Sequence, residues 1–306
     1  MARVDIAFAA PDIARALPRA PYVRRYWLFA MPAVATVAAV IVFPWMFTIF
    51  MSFSEWGLDG TVTFVGLENF RTLFFDARFR EAVGTTLYFT ALAVVLPIFF
   101  GTAAALVFHQ NFPLRGLLRA IFIMPMMATP VAVALVWTMM FHPQLGVLNY
   151  LLTSLGLPPS LWVYDIKTVI PTLVMIEVWH WTPLVMLIVL GGLAGLPQEP
   201  YESALIDGAN AWHMFRHITL PLVWPFITIA LIIRTIDALK AFDTIFVITQ
   251  GGPGTASETI NLFLYQQAFA NFKMGYASAV VVVFFVIIVM LAAVLLYVRQ
   301  KSKWDA

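Results

Sequence analysis

Residues 201–221 read YESALIDGANAWHMFRHITLP and lie between two long apolar runs of the chain. Glu199 and Glu202 favour the first turn of a short helix, because carboxylates stabilise a helix N-terminus. Gly208 permits a bend after that helix, and Pro221 opens the next apolar run. A stretch of this length with few positive charges suits a protein partner better than lipid headgroups. We therefore predict a short helix that docks on another protein.

The composition around this stretch indicates a membrane protein. The chain has 306 residues, of which 62% are hydrophobic and 11% are charged, whereas a soluble domain is roughly 45–50% apolar and about 25% charged. The net charge of +2 argues against a nucleic-acid partner. Because cysteine is absent, disulfides, thiolate metal sites and cysteine nucleophiles are excluded.

Six apolar runs are long enough to cross a bilayer, which takes about 20 residues as a helix. The runs cover residues 27–53, 83–108, 120–141, 168–193, 220–249 and 276–297. They are continuous and lack period-2 alternation, which disfavours barrel strands. We predict an all-α membrane protein with one six-helix transmembrane domain over residues 27–298.

The loops predict the direction of the spans, because Lys and Arg accumulate on the cytoplasmic side. Residues 1–26 are taken as a cytoplasmic arm. The segments on the cytoplasmic side then hold eleven Lys and Arg residues in total, in the arm, the loops at 109–119 and 194–219, and the tail at 299–306. The three outside loops hold five. We therefore expect both termini in the cytoplasm.

Charged residues occur within the fifth run, where they are costly and indicate a functional site. Arg234, Asp237, Lys240 and Asp243 follow one another at intervals of three. On one continuous helix they would share a slowly drifting face, and both Arg234–Asp237 and Lys240–Asp243 could pair at i, i+3.

The fourth run carries Glu177, Trp179, His180 and Trp181, which we place level with Arg234 at about 1.5 Å per residue. Two interpretations stay open. The charges line a substrate path, or they neutralise one another in an interface between subunits.

No sequence pattern indicates catalysis or ATP binding by this chain. A Gly-x-x-x-x-Gly-Lys-[Ser/Thr] run is absent, so ATP must be bound by a separate subunit if it drives transport. No histidine spacing resembles a metal site, and no Ser-His-Asp constellation is evident. We predict no catalytic residue, no metal and no cofactor on this chain.

The docking stretch resembles the signature loop of permease subunits of ABC importers. That loop reads Glu-Ala-Ala, three residues, Gly, nine residues, Ile, one residue and Leu-Pro. Here Glu202-Ser203-Ala204, Gly208, Ile218 and Leu220-Pro221 stand at this spacing, and Ser203 for Ala is the sole departure.

Three further segments are similar to sugar-type permeases. They are residues 64–70, 116–149 and 249–259, of which the last is typical of the longer member of a permease pair. The resemblance covers roughly residues 25–300.

The resemblance implies a type I importer permease fold with a cytoplasmic coupling helix. Contact with the ATP-binding subunit would come from Glu202, Ser203, Ala204, Asp207, Gly208 and Ala209. The sugar path would be lined by His180, Trp181, Leu184, Asp237, Lys240, Ala241 and Asp243. Glu177 and Arg234 would form a structural ion pair.

The resemblance also implies partners and a location. The partners are a second, homologous permease subunit, two ATP-binding subunits that hold ATP and Mg, and an extracytoplasmic substrate-binding protein. The location is a bacterial or archaeal inner membrane.

Two questions stay open at this point. The substrate is a sugar or polyol, but Lys240 and Arg234 could also serve a phosphate- or sulfonate-bearing solute. The alternative function is an ion- or proton-coupled secondary transporter that uses the charges of the fifth run and works without ATP-binding subunits.

Overall fold

The structure, a computed structural model, describes residues 23–57 and 59–301. Most of the predicted cytoplasmic arm therefore lies outside the described residues, although helix α1 begins at Val23, within the arm's predicted bounds. The same holds for residues 302–306 of the predicted tail.

The described ranges are mostly helical. The N-terminal unit, up to residue 50, is built from α1 (Val23–Val37), a π-helical turn (Ala38–Val42) and the greater part of α2 (Phe43–Ser52). The remaining helices are α3 (Glu68–Phe75), α4 (Ala77–His109), α5 (Arg115–Met127), α6 (Pro130–Met140), α7 (Val147–Ser154), α8 (Val169–Ala194), α9 (Glu199–Ile206), α10 (Ala211–Met214), α11 (Leu220–Leu239), α12 (Asp243–Ile248), α13 (Ile260–Tyr265) and α14 (Met274–Lys301).

Among the described residues, five helical stretches are long and apolar enough to cross a membrane. They are Phe29–Ser52, Ala77–His109, Val169–Ala194, Ala211–Leu239 and Met274–Tyr297. Helices α5 and α6 pass the same test only together and meet at a bend of 97°. Six spans, as predicted, result when this bent pair counts as one.

The fifth span differs from the prediction of one run over residues 220–249. Its helix begins at Ala211, because the Asn210 side chain caps it by accepting the backbone N–H of His213 at 2.9 Å. A π-helical turn (Phe215–Thr219) then leads into α11 without a break.

The same helix ends earlier than predicted, at Leu239. The Asn261 side-chain amide donates to the Leu239 carbonyl at 2.9 Å and so satisfies a backbone group that a continuing helix would have used. Residues 240–242 separate α11 from α12, so the predicted single charged face does not exist.

A small hairpin stands apart from the all-α prediction. Strands β1 (Ser54–Trp56) and β2 (Val62–Phe64) pair antiparallel, with Glu55 opposite Thr63. The Asn69 side chain donates to the Ser54 carbonyl at 2.9 Å, which ties the hairpin to α3.

Helices α4, α8 and α11 pack closely against one another and position the site. A Cβ at Gly101 of α4 would lie 2.5 Å from Val185 Cβ of α8. A Cβ at Gly192 of α8 would lie 2.4 Å from the Phe226 ring of α11. Small residues at these positions allow the backbones to approach, as is usual between membrane helices.

Candidate functional site

A cavity of about 220 Å³ opens where α8, the end of α11 and the start of α6 meet. We call it the polar cavity. Its lining consists of Pro130, Glu177, His180, Trp181, Asp237, Lys240, Ala241, Phe242, Asp243 and Thr244. Six of the seven residues predicted to line a substrate path thus surround one space.

Leu184 is the exception among the predicted path residues. It lies about one turn beyond Trp181 on α8 and is half-buried, but it is not part of the cavity lining.

Arg234 of α11 is the centre of an ion network behind the cavity wall. Its side chain is 0% exposed, and it is the largest fully buried side chain among the described residues. Its Nη2 donates to Glu177 Oε2 at 2.9 Å, and its Nη1 donates to Asp237 Oδ2 at 2.5 Å. The structure therefore contains the Arg234–Asp237 pair that the sequence spacing predicts and the Glu177–Arg234 pair that the family resemblance implies.

A third partner of Arg234 is a backbone carbonyl. Nη2 also donates to the Ala93 carbonyl of α4 at 3.2 Å. Pro97 lies one turn later inside α4 and has no N–H, so it cannot donate to that carbonyl in the usual helical manner. Arg234 supplies the missing hydrogen bond from a neighbouring span.

The aromatic wall of the cavity is held by the same network. The Arg234 guanidinium carbon lies 4.8 Å from the centre of the Trp181 ring, a cation–π contact. The rings of His180 and Trp181 are 4.8 Å apart, centre to centre. Trp181 is thus fixed in orientation while it lines the cavity.

His180 links the cavity to the break in the third span. Its Nε2 lies 3.2 Å from the carbonyl oxygen of Ala128, the residue that follows α5. Because a carbonyl only accepts, Nε2 carries the proton of this bond. The hydrogen bond satisfies a backbone group where the chain leaves the helix.

Two gaps between helices therefore lie beside the same cavity. The break between α5 and α6 adjoins Pro130, and the break between α11 and α12 contains Lys240, Ala241 and Phe242. Irregular backbone at membrane depth is tolerated where it lines a cavity, and broken helices form the binding sites of many transporters.

The break also corrects the predicted pairing of Lys240 with Asp243. The two residues do not share a helix, and both side chains are exposed. Within the described part of the chain, neither forms an ion pair.

The predicted coupling residues lie on and just after α9, the helix over Glu199–Ile206. The backbone N–H groups of Gly208 and Ala209 donate to the carbonyls of Leu205 and Ala204, at 3.1 and 2.9 Å. This pair of bonds is a Schellman motif, and it needs the left-handed conformation that Gly208 adopts with φ of 77°.

The surface of α9 is open and partly apolar. Glu202, Ser203 and Asp207 are exposed, and so are Leu205 (61%) and Ile206 (87%). The Tyr201 hydroxyl donates to Thr219 Oγ1 at 3.1 Å and fixes the other face of the helix to the start of the fifth span.

Sequence reasoning missed several residues of the site. Pro130, Phe242 and Thr244 line the polar cavity but were assigned no role. An ion pair with one buried member was missed as well, in which the half-exposed Arg78 donates to Glu258 at 2.7 Å while Glu258 is only 2% exposed. Its two members lie 180 positions apart, so no local pattern could have joined them.

Comparison with known proteins gives a consistent result. A family model described as "Binding-protein-dependent transport system inner membrane component" matches residues 93–304. The trehalose/maltose transport system permease protein MalF of Thermococcus litoralis is 36% identical over 78% of this chain and 81% of its own length. The sulfoquinovosyl glycerol transport system permease protein SmoG of Agrobacterium fabrum is 32% identical over 83% of both chains.

The fold is also similar to a solved structure. A chain of a bacterial ABC transporter involved in the import of the acidic polysaccharide alginate superposes with a TM-score of 0.80 at 23% identity. The match covers 91% of this chain and 97% of that one. The predicted type I importer permease fold is confirmed.

Proposed function

The chain belongs to the family of binding-protein-dependent transport system inner membrane components, and we propose that it carries a sugar through its polar cavity. It is a multi-pass permease subunit of an ABC importer in the inner membrane. Relatives named for trehalose, maltose and sulfoquinovosyl glycerol support a sugar-like substrate. Family membership argues against the alternative of an ion- or proton-coupled secondary transporter.

The combination of groups in the polar cavity is the observation that carries this proposal. Trp181 offers an oriented aromatic ring, and Asp237 and Lys240 offer hydrogen-bonding groups beside it. An apolar or aromatic wall with a few placed polar groups is the usual design of a small-molecule site. It suits a sugar ring, whose C–H faces are apolar and whose rim carries hydroxyls.

The exposed α9 surface supports a role in coupling. We propose that this surface docks in a cleft of an ATP-binding subunit. The contacts would come from Glu202, Ser203, Ala204, Asp207, Gly208 and Ala209. ATP and Mg would be held by two such subunits, so that this chain itself is not an enzyme. Movement of α9 would be passed to the fifth span, because only residues 207–210 separate the two helices.

The remaining partners and the orientation complete the proposal. A second, homologous permease subunit would supply the other half of the translocation path, and an extracytoplasmic binding protein would deliver the solute. Both termini would face the cytoplasm, as the distribution of Lys and Arg predicts.

Two neighbouring tryptophans provide a matched test of the path. Trp181 lines the polar cavity, whereas Trp179 is 44% exposed and packs edge-on against Trp137 away from it. In the complete importer, reconstituted in vesicles, Trp181→Ala should reduce uptake of radiolabelled trehalose and maltose at least tenfold. Trp179→Ala should leave uptake within about twofold of the parent.

Assembly must be measured alongside uptake, because Trp181→Ala also removes a ring that contacts Arg234. Trp181→Phe keeps an aromatic face and should restore part of the uptake. Equal losses for Trp179→Ala and Trp181→Ala at equal assembly would contradict the assigned path. If the unmodified importer takes up neither neutral nor charged sugars, the proposed sugar transport is contradicted.

A further inference from the structure

The polar cavity has an unequal balance of charge. Three carboxylates line it, those of Glu177, Asp237 and Asp243, but only one cationic side chain does so, that of Lys240. The guanidinium of Arg234 lies behind the wall and contributes a second positive charge. Counted as formal charges, with histidine neutral, the site keeps one net negative charge.

Arg234 has no donor directed to a ligand from a solvent-accessible position. Its side chain is fully buried, and its two terminal nitrogens donate to Glu177, Asp237 and the Ala93 carbonyl. Two N–H groups remain, the second one on Nη1 and that of Nε, and both belong to the same fully buried side chain. The arginine therefore compensates the cavity's own carboxylates and cannot form the two-pronged contact by which arginine binds an anion.

Lys240 alone is a weak basis for anion recognition. It is exposed in the break after α11, where it is a single point charge with no paired donor fork. Asp243 lies three positions away in the same wall and opposes an incoming negative group. A phosphate, sulfonate or carboxylate would meet more repulsion than attraction.

We propose that this chain selects uncharged glycans and rejects glycans that carry phosphate, sulfonate or carboxylate groups. The proposal rests on the sugar path assigned above and deepens it. It also resolves the substrate alternatives that the sequence left open, since Arg234 is withdrawn from the path. Asp237 and Asp243 would act as specificity residues through their charge.

The absence of cysteine from the chain permits a test that needs no sugar. Ala241→Cys places one thiol in the cavity wall, and the purified complete importer without this change supplies the background rates that are subtracted. Its reaction rates with a cationic and an anionic methanethiosulfonate reagent are each divided by the rates for free 2-mercaptoethanol. We expect the cationic reagent to react about tenfold faster after this correction.

Two charge changes of equal size separate the cavity from the rest of the surface. Ala241→Cys with Asp243→Lys should lose or invert the preference for the cation. Ala241→Cys with Glu81→Lys should keep it, because Glu81 is exposed near the start of α4 and does not line the cavity. Three results for Ala241→Cys alone would overturn the proposal: equal corrected rates for the two reagents, a preference for the anionic reagent, or no reaction with either.

A second arm tests selectivity with the same importer in vesicles. Uptake of trehalose and maltose is compared with that of trehalose 6-phosphate and of a glucuronate-containing disaccharide. The binding protein is the same in every arm, so its own preference cancels when variants are compared. Asp243→Lys should raise the ratio of anionic to neutral uptake about tenfold, and Glu81→Lys should not change it.

The outcomes distinguish charge selection from the proposed sugar path on which it rests. Uptake of anionic sugars at the neutral rate would overturn charge selection and leave the sugar path intact. Uptake of no sugar at all would overturn both, even if the thiol chemistry showed a negative cavity.

Discussion

The polar cavity and the α9 surface handle charge in opposite ways. Around the cavity, Arg234 is fully buried and satisfies two carboxylates and one carbonyl within this chain. On α9, Glu202 and Asp207 are exposed and form no ion pair among the described residues, and Ile206 is left 87% exposed. The first region compensates its buried arginine within this chain, whereas the second stays open for the partner proposed above.

The largest effect is expected at the buried ion network around Arg234. Arg234→Met leaves Glu177 buried without its cation, and breaking a buried pair in this way costs about 3–5 kcal/mol. We expect loss of assembled protein and a lower unfolding temperature of the purified complex. The double variant Arg234→Met/Glu177→Gln should recover part of that loss, and unchanged stability of the single variant would show that the network is dispensable.

A medium effect is expected at the end of α9, and the chain supplies its own control. Gly156 follows α7 with φ of 75° and closes a Schellman motif of the same form, with Leu157 N donating to the Leu152 carbonyl at 2.9 Å. Gly208→Ala and Gly156→Ala should each cost about 1 kcal/mol of local stability, because both force alanine into a left-handed conformation.

Only one of these two glycines should affect coupling. In vesicles, Gly208→Ala should lower the sugar taken up per ATP hydrolysed, and Gly156→Ala should not. The stronger Gly208→Pro, and Glu202→Ala, should uncouple hydrolysis from uptake altogether. Normal uptake by both would contradict the assignment of α9 as the coupling helix.

The smallest effect on this chain's stability is expected on the open face of α9. Leu205→Ser with Ile206→Ser should change the unfolding free energy by no more than about 0.5 kcal/mol, because both side chains are already exposed. Co-purification of the ATP-binding subunit should nevertheless fall. Leu155→Ser, at a side chain that is 75% exposed after α7, is the matched control and should leave co-purification unchanged.

The contrast between the two regions also explains what the sequence could predict. The α9 motif is local: Glu202, Gly208 and Leu220-Pro221 stand at fixed spacing, so the short helix and its bend could be predicted from it. Span positions followed from apolar runs of sufficient length. The family and the fold were predicted from these features.

The architecture of the cavity depends on contacts that no local pattern contains. The end of α11 is set by Asn261, and the break after α5 is held by His180, which is 52 positions from its partner Ala128. An apolar run gives no sign of such a break. The charges of the fifth run could therefore be singled out from the sequence, but they were placed on one helix, which in fact ends at Leu239.

The hydrogen bond from Arg234 to the Ala93 carbonyl has an evolutionary consequence. The carbonyl is free for Arg234 because residue 97 is proline, so an ordinary residue there would compete for it with its own N–H. A change at position 97 of α4 would thus alter the hydrogen bonding of the Arg234 guanidinium, which belongs to α11. Positions 97 and 234 are expected to vary together among relatives. Where position 97 is not proline, position 234 should more often be a residue other than arginine.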